Sequence, residues 1–227
     1  VCSGAIALGS KSISNSNLRK LEDKQAAASI GQIELAYQWR TKLKKFKINV
    51  SQILLTLEDS EVRRSYLNAR ITISSLQNKN IIPIINENDT VATEEIKYGD
   101  NDKLAARVAQ MIGADLLVLL SDVDGLYEDN PKKIKGAKKI SEIYNIDKKI
   151  ENLAKSQTSA LGSGGMTTKI IAAKICSNNN CTTVITNSNK NNPVSTIDIK
   201  NSTVFYPSTS TNSSKKKWLL NHLKPSG

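Results

Sequence analysis

Histidine is almost missing from this sequence. The single one, His222, lies in a polar tail, so hydrolytic chemistry built on an imidazole has no residue to work with in this chain. Aromatic residues are nearly as scarce, at 4%, which removes the stacking rings on which a single-stranded nucleic-acid platform depends. No apolar run approaches the roughly 18 residues that a membrane span requires. The apolar start Val1-Cys2-Ser3-Gly4-Ala5-Ile6-Ala7 is too short for a signal peptide and lacks a basic flank. Cysteine is limited to Cys2, Cys176 and Cys181, an odd number without metal-ligand spacing, so reduced, buried thiols in a cytoplasmic protein are expected. An initiator methionine is also missing. The sequence opens inside what reads as a buried strand, and a fragment without its natural beginning is expected. Finally, acidic residues are outnumbered 21 to 32, leaving a net charge of +11. The excess comes in short clusters such as Lys132-Lys133, Lys138-Lys139, Lys148-Lys149 and Lys215 to Lys217. These suit solvated faces and a field that draws in anionic ligands; nucleic acid is not an expected partner.

What is present is an ordinary globular composition, 39% hydrophobic and 23% charged over 227 residues, enough for one large domain or two small ones. Apolar runs alternate with helical periodicity. Val50 to Leu57 reads as a strand, and Val62, Tyr66, Ala69, Ile73 and Leu76 mark one face of a helix. Ile81 to Ile85 is a short apolar strand. Leu104, Val108, Met111 and Ile112 mark another helix face, and Leu116 to Leu120 another strand. Met166, Ile170 and Ala173 indicate a helix before a strand at Thr182 to Thr186. Such alternation predicts a parallel sheet covered by helices. The polar interval from Ser10 to Gln25 reads as a loop, and a long helix from Gln25 to about Lys45 would suit a subunit contact. From Ser208 the composition turns to Ser, Thr, Asn and Lys, as at a domain exit.

In such a sheet, ligands gather where strands end and helices begin, and four segments lie at such points. Ser3-Gly4-Ala5 sets a hydroxyl and a glycine at a helix start, either an ordinary N-cap or a site for a carboxylate or phosphate. Asn86-Glu87-Asn88-Asp89 follows an apolar strand and is joined by Glu95, Lys97, Tyr98 and then Gly99-Asp100-Asn101-Asp102. This group can recognise an amino-acid zwitterion, or can be an acidic loop with caps for the next helix; its spacing does not fit an EF-hand. Ser121-Asp122-Val123-Asp124-Gly125-Leu126-Tyr127 is a tight turn suited to positive φ at Gly125, and also a reasonable nucleotide contact. Gly162-Ser163-Gly164-Gly165-Met166-Thr167-Thr168-Lys169 opens a helix with glycines that let the backbone approach phosphate oxygens and a lysine that can neutralise their charge; the Walker A spacing is absent, and a structural loop is the alternative.

Taken together and in this order, these segments, with Gln52 to Thr56 and Tyr66-Leu67-Asn68-Ala69-Arg70, resemble the glutamate 5-kinase family of the amino-acid kinase superfamily. The combination of Asn-Glu-Asn-Asp with Gly-Asp-Asn-Asp sets that branch apart from acetylglutamate, aspartate and uridylate kinases. The resemblance implies a three-layer αβα sandwich with a mostly parallel central sheet over residues 1–207, then a linker or the start of a further domain at 208–227. It implies transfer of the ATP γ-phosphoryl group to the side-chain carboxylate of L-glutamate, the first step of proline synthesis. Ser3, Asp89, Asn101 and Lys97 are the implied glutamate contacts. Ser121 and Asp122 are implied to meet the nucleotide, and Ser163, Gly164, Gly165, Met166, Thr167, Thr168 and Lys169 its phosphates. Lys169 would stabilise the transferring group, and Asp102 would orient catalytic lysines. Mg²⁺ would ride on the phosphates with no named protein ligand. Feedback inhibition by proline and a homodimer or homotetramer are implied as well.

The residue inventory agrees with that chemistry. A carboxylate is already ionised, so its attack needs no general base, only positioning and charge neutralisation. In one respect the sequence departs from the family: the usual first strand with its Lys-Leu-Gly segment is absent, so one phosphate-gripping lysine is expected to be missing. A small C-terminal RNA-modification-type domain, common in bacterial relatives, would begin after Trp218. Two other readings remain at this stage: a superfamily enzyme acting on another carboxylate or on carbamate, and a non-catalytic module that senses glutamate or proline.

Overall fold

The computed structural model describes residues 1–13, 18, 20–91, 100–131, 133–157 and 165–207. They fall into two compact units, 1–104 and 105–227.

The first unit begins with α1 (Ala5–Gly9), a 3₁₀ turn at Ser10–Ser12, and α2 (Leu21–Lys44). It continues through β1 (Asn49–Leu55), a second 3₁₀ turn, α3 (Arg63–Asn78) and β2 (Ile81–Glu87), and ends in the first turns of α4 (Asp100–Ile112). β1 and β2 pair in parallel, Val50 opposite Ile82 and Leu55 opposite Glu87. Four of the five positions foreseen for the α3 face pack, Ile73 fully buried and Tyr66, Ala69 and Leu76 half-buried, while Leu67 and Ile71 face outward; the fifth, Val62, is the N-cap before the helix and is exposed.

Two expectations need correcting here. The chain does not open in a strand. Residues 1–4 have no regular structure and Val1 is exposed, because Gly4, at φ 106°, turns the backbone straight into α1. Cys2 meets the sheet through an N–H···O bond to Ile85 (2.9 Å). Nor is the stretch from Ser10 to Gln25 all loop, since α2 starts at Leu21 with Glu22 and Asp23 in its first turn, where carboxylates favour a helix N-terminus.

α1 and α2 cross with their backbones in contact. A Cβ on Gly9 would overlap the Ala27 carbonyl, and one on Gly31 would overlap the Ala5 carbonyl. Ala5, Ala27 and Ala28 complete this small-residue contact and are buried.

The second unit contains β3 (Leu116–Ser121), β4 (Leu126–Tyr127), β5 (Lys139–Ile140), β6 (Glu142–Ile143), α5 (Lys148–Ser156), α6 (Met166–Ser177), β7 (Thr182–Asn187) and β8 (Ser202–Phe205). Its four-stranded sheet runs β3-β7-β8-β6, with β4 and β5 forming a separate hairpin. The β3–β7 and β6–β8 pairs are parallel and β7–β8 is antiparallel. Leu119, Leu126, Ile143, Met166, Ile170 and Phe205 form the main core; Val184, Ile197, Val204 and Tyr206 form a second cluster. The foreseen α/β class with mostly parallel pairing is the one observed. Cys176 and Cys181 are buried, Cys2 is half-buried, and all three are free thiols. No helix among the described residues is long and apolar enough to cross a membrane.

One side chain ties the hairpin to the sheet. Thr203 Oγ accepts from the Leu126 N–H (2.9 Å) and donates to the Ile140 carbonyl (2.6 Å). The adjacent Gly125 lies at φ 155°, and a Cβ there would overlap Thr203 Oγ. Gly125→Ala must therefore displace a buried hydroxyl that serves two backbone groups. It is expected to lower unfolding stability by about 2–4 kcal/mol in urea titration; a loss below about 0.5 kcal/mol would show that Thr203 relocates without penalty.

Candidate functional site

The first unit gathers polar side chains at the C-terminal end of β2. Asn86, the sixth residue of that strand, is 1% exposed. Its Nδ2 donates to Gln32 Oε1 on α2 (2.7 Å), and its Oδ1 accepts from Asn101 Nδ2 in the first turn of α4 (3.2 Å). Asn101 Oδ1 is buried without a hydrogen-bond partner, an arrangement that costs about 1–3 kcal/mol unless a ligand donor fills it. Asp89 lies two residues beyond the strand end, half-buried, and burial pushes its carboxyl pKa up. It borders a cleft of about 240 Å³ together with Gln32, Gln52, Glu87 and Asn88.

Ser3 is exposed and follows Cys2, whose bond to Ile85 sets it next to the same strand end. It is not the N-cap of α1: Gly4 holds that position, and no side chain caps the helix. Asp102 is half-buried on α4. Lys97 lies outside the described residues. Thus Asn101 meets the end of β2 through Asn86, Asp89 follows that strand in the chain, and Ser3 lies one residue beyond the Cys2–Ile85 bond. Gln32 was not foreseen. Its signal is a polar residue within the buried stripe Ala27, Ala28, Gly31 and Leu35 of α2.

In the second unit a cavity of about 60 Å³ opens at the C-terminal end of β3, bordered by Ser121, Asp122, Tyr127, Gln157, Gly165 and Lys169 among others. Ser121 is buried and Asp122 exposed; the Ser121 hydroxyl donates to Asp122 Oδ1 (3.1 Å). The Ser121 carbonyl accepts from both the N–H and the hydroxyl of Ser188, at 2.7 and 2.9 Å, which fixes the strand end against the continuation of β7. Gly165 caps α6 without a side-chain cap bond, so the positive end of the helix dipole faces this region through backbone alone. Met166 and Thr168 are buried, Thr167 and Lys169 half-buried, and Thr168 Oγ donates to the Gly165 carbonyl (3.0 Å). Ser163 and Gly164 lie outside the described residues.

Two further groups shape this wall. Gln157, at the end of α5, donates through Nε2 to the Tyr127 carbonyl and accepts the Tyr127 N–H (3.3 Å), which holds β4 in place. The Tyr127 hydroxyl donates to Asp124 Oδ1 (2.7 Å), and its pKa is pushed up to about 12, by burial first and then by that bond and the aspartate's charge. Burial would raise the Asp124 carboxyl, but the Tyr127 bond and the nearby Lys139 outweigh it and hold its pKa down. Gln157 gave no sequence signal, because α5 itself is marked chiefly by exposed lysines.

The model of the Amino acid kinase family matches residues 1–187, a span that includes every site residue named above. The chain belongs to the amino acid kinase family. The chain is 55% identical over its whole length to the glutamate 5-kinase of Pelagibacter ubique (strain HTCC1062), of which it covers 62%. It is 49% identical, again over its whole length, to the glutamate 5-kinase of Paramagnetospirillum magneticum (strain ATCC 700264 / AMB-1), of which it also covers 62%. The chain therefore spans about three-fifths of the length of these curated relatives. Among solved structures it superposes on carbamate kinase from Giardia lamblia bound to AMP-PNP with a TM-score of 0.57 at 15% identity, over 89% of this chain and 81% of the other. UMP kinase from Ureaplasma parvum follows with 0.54 at 16% identity, over 82% and 72%. At such identities the likeness establishes the fold, that of the amino acid kinases.

Proposed function

We propose that this chain carries the kinase domain of a glutamate 5-kinase, within residues 1–207, and that it phosphorylates the side-chain carboxylate of L-glutamate with ATP to give L-glutamyl 5-phosphate, the first step of proline synthesis. The observation that carries this reading is identity of 49–55% over the full chain to glutamate 5-kinases, against 15–16% to carbamate and UMP kinases of the same fold. The site geometry is consistent with it. In the first unit Ser3, Asp89 and Asn101, with Lys97, bind glutamate; proline, a smaller amino acid with the same zwitterion, competes there as a feedback inhibitor. In the second, Ser121 and Asp122 hold the nucleotide, and residues 163–169 hold its phosphates.

The reaction asks little proton chemistry of the protein. The attacking oxygen is ionised at neutral pH, so the task is to hold acceptor and donor in line and to neutralise charge on the moving phosphoryl group. Lys169 and the N-terminus of α6 supply positive charge, and Asp102 orients catalytic lysines. Mg²⁺ would neutralise phosphate charge and be held chiefly by phosphate oxygens and water. Asp122, exposed at the mouth of the cavity, is a carboxylate within that region and is compatible with such an ion. A homodimer or homotetramer is supported by the apolar side chains that α2 leaves in solvent, Ile33 and Tyr37. The deciding experiment is calorimetric titration of the chain with L-glutamate and, as control, L-aspartate. Heat with glutamate alone supports the assignment, and silence from a folded chain removes it.

Asp89 supplies a second check. Its folded-state pKa is raised, so the folded state holds a proton that the unfolded state gives up. Stability is then greatest below the unfolded value of about 4 and falls as pH rises through the folded value. Asp89→Asn cannot ionise and escapes that fall. The variant is expected to melt above the wild type at pH 7, the gap closing towards about pH 4, while glutamate binding weakens at least about tenfold. A lower melting point at pH 7 with binding intact would refute the role.

A further inference from the structure

Gln32, Asn86 and Asn101 come from α2, β2 and α4, and their amides join head to tail. Asn101 Nδ2 donates to Asn86 Oδ1, and Asn86 Nδ2 donates to Gln32 Oε1. A primary amide donates on one side and accepts on the other. Turning any one of the three by half a turn would set oxygen against oxygen or nitrogen against nitrogen. The chain therefore has a direction: with Gln32 Oε1 presented to Asn86, both later amides are set. Asn86, the middle member, is closed off from solvent at 1% exposure, so water cannot stand in for a group misdirected there. At the far end the direction leaves Asn101 Oδ1, buried and without a hydrogen-bond partner.

We infer that Gln32 is a positioning residue for the amino-acid site: acting through Asn86, it fixes Asn101 with its carbonyl oxygen, and not its NH₂ group, turned to the ligand. The group received at Asn101 is then a hydrogen-bond donor, the α-ammonium of the substrate, and a carboxylate placed there would meet a lone pair. The inference rests on reading this half of the molecule as the glutamate site, and it adds a residue and a polarity to that reading. Gln32 itself borders the cleft that Asp89 lines.

The test compares L-glutamate with glutarate, the same diacid without the ammonium, by calorimetry on the 227-residue chain. Gln32→Met keeps the side-chain volume and removes the acceptor. Gln32→Glu keeps an acceptor for Asn86 Nδ2 and so retains the direction. In the wild type, glutamate is expected to bind at least about tenfold more tightly than glutarate. Gln32→Met should reduce that ratio to about threefold or less, with glutamate losing affinity and glutarate little changed, and Gln32→Glu should restore it. Thermal melting confirms that each variant is folded, and Gln32→Ala replaces the methionine variant should that one fail. A wild-type ratio in Gln32→Met, equal weakening of both ligands, or no recovery with Gln32→Glu would each overturn the inference while leaving the glutamate assignment standing. A folded wild-type chain that binds no glutamate would remove both.

Discussion

Lys169→Met is expected to lower turnover with L-glutamate by about a thousandfold while leaving the glutamate dissociation constant within about threefold. Lys169 lies in the first turn of α6 and borders the cavity at the end of β3, beside Gly165 and Ser121. Its charge is useful to phosphate oxygens and lies in the unit proposed to hold the nucleotide, so its removal should cost the transition state more than the bound acid. A thousandfold corresponds to about 4 kcal/mol of activation free energy, the range seen when one preorganised charge or donor is lost from a transition state. Methionine keeps the unbranched stem, so packing at the head of α6 is retained. ADP release reports turnover and calorimetry the affinity. A protein that merely senses glutamate would show no turnover for the substitution to reduce. Parallel collapse of turnover and glutamate affinity would instead argue that Lys169 has a structural task.

Gly31→Ala carries the second large effect, and its sign is the point. By helix propensity alone, alanine inside a 24-residue helix should stabilise by about 1 kcal/mol. The crossing with α1 predicts the opposite. The new methyl group meets the Ala5 carbonyl, and a backbone carbonyl within a helix cannot rotate aside as a side chain can. The helices must part, which costs about 3 kcal/mol by comparison with overpacked cores. Gly9→Ala should behave alike, because its methyl group meets the Ala27 carbonyl across the same contact. The double variant should cost much less than the sum, since helices already parted have room for the second methyl group. Urea unfolding of the three variants measures this, and a stabilised Gly31→Ala would show that the contact yields easily. Parting the helices would also shift Ser3, which enters α1 through Gly4, so glutamate affinity should fall with stability.

How far the fold could be read from sequence depended on whether burial or hydrogen bonding made each element. β2, β3 and α3 are made by burial, and their apolar runs and periodicity announced them. β8 is different: Ser202 and Thr203 are fully buried, and Thr203 is held by bonds to Leu126 and Ile140, partners that sequence spacing cannot suggest. The helix α5 is capped by Asp147, which accepts the Ile150 N–H, but its lysines drew it as a solvated cluster. The start of the chain misled in the other direction, because Val1 and Cys2 look like strand residues and Gly4 ends any extended run after Ser3. At the site, Asn86, Asp89 and Asn101 could be grouped because they lie close in sequence. Ser121 and Gly165 share a cavity across a long separation, and only resemblance to a family placed them together beforehand. Gln32 escaped both routes, being a lone polar residue on a helix face that is otherwise small and apolar.

The amides of Gln32, Asn86 and Asn101 are neutral, while the chain as a whole carries a net charge of +11. Dissolved ions treat the two differently. At about 0.15 M salt, charges more than about 8 Å apart in solvent hardly sense each other, so the long-range pull on an anionic ligand fades as salt rises. Hydrogen bonds closed off inside the protein are not screened in this way. On the proposed reading, attraction and orientation are thus lodged in separate parts of the molecule: ionic strength alters how fast an acid arrives far more than how the amide chain is directed.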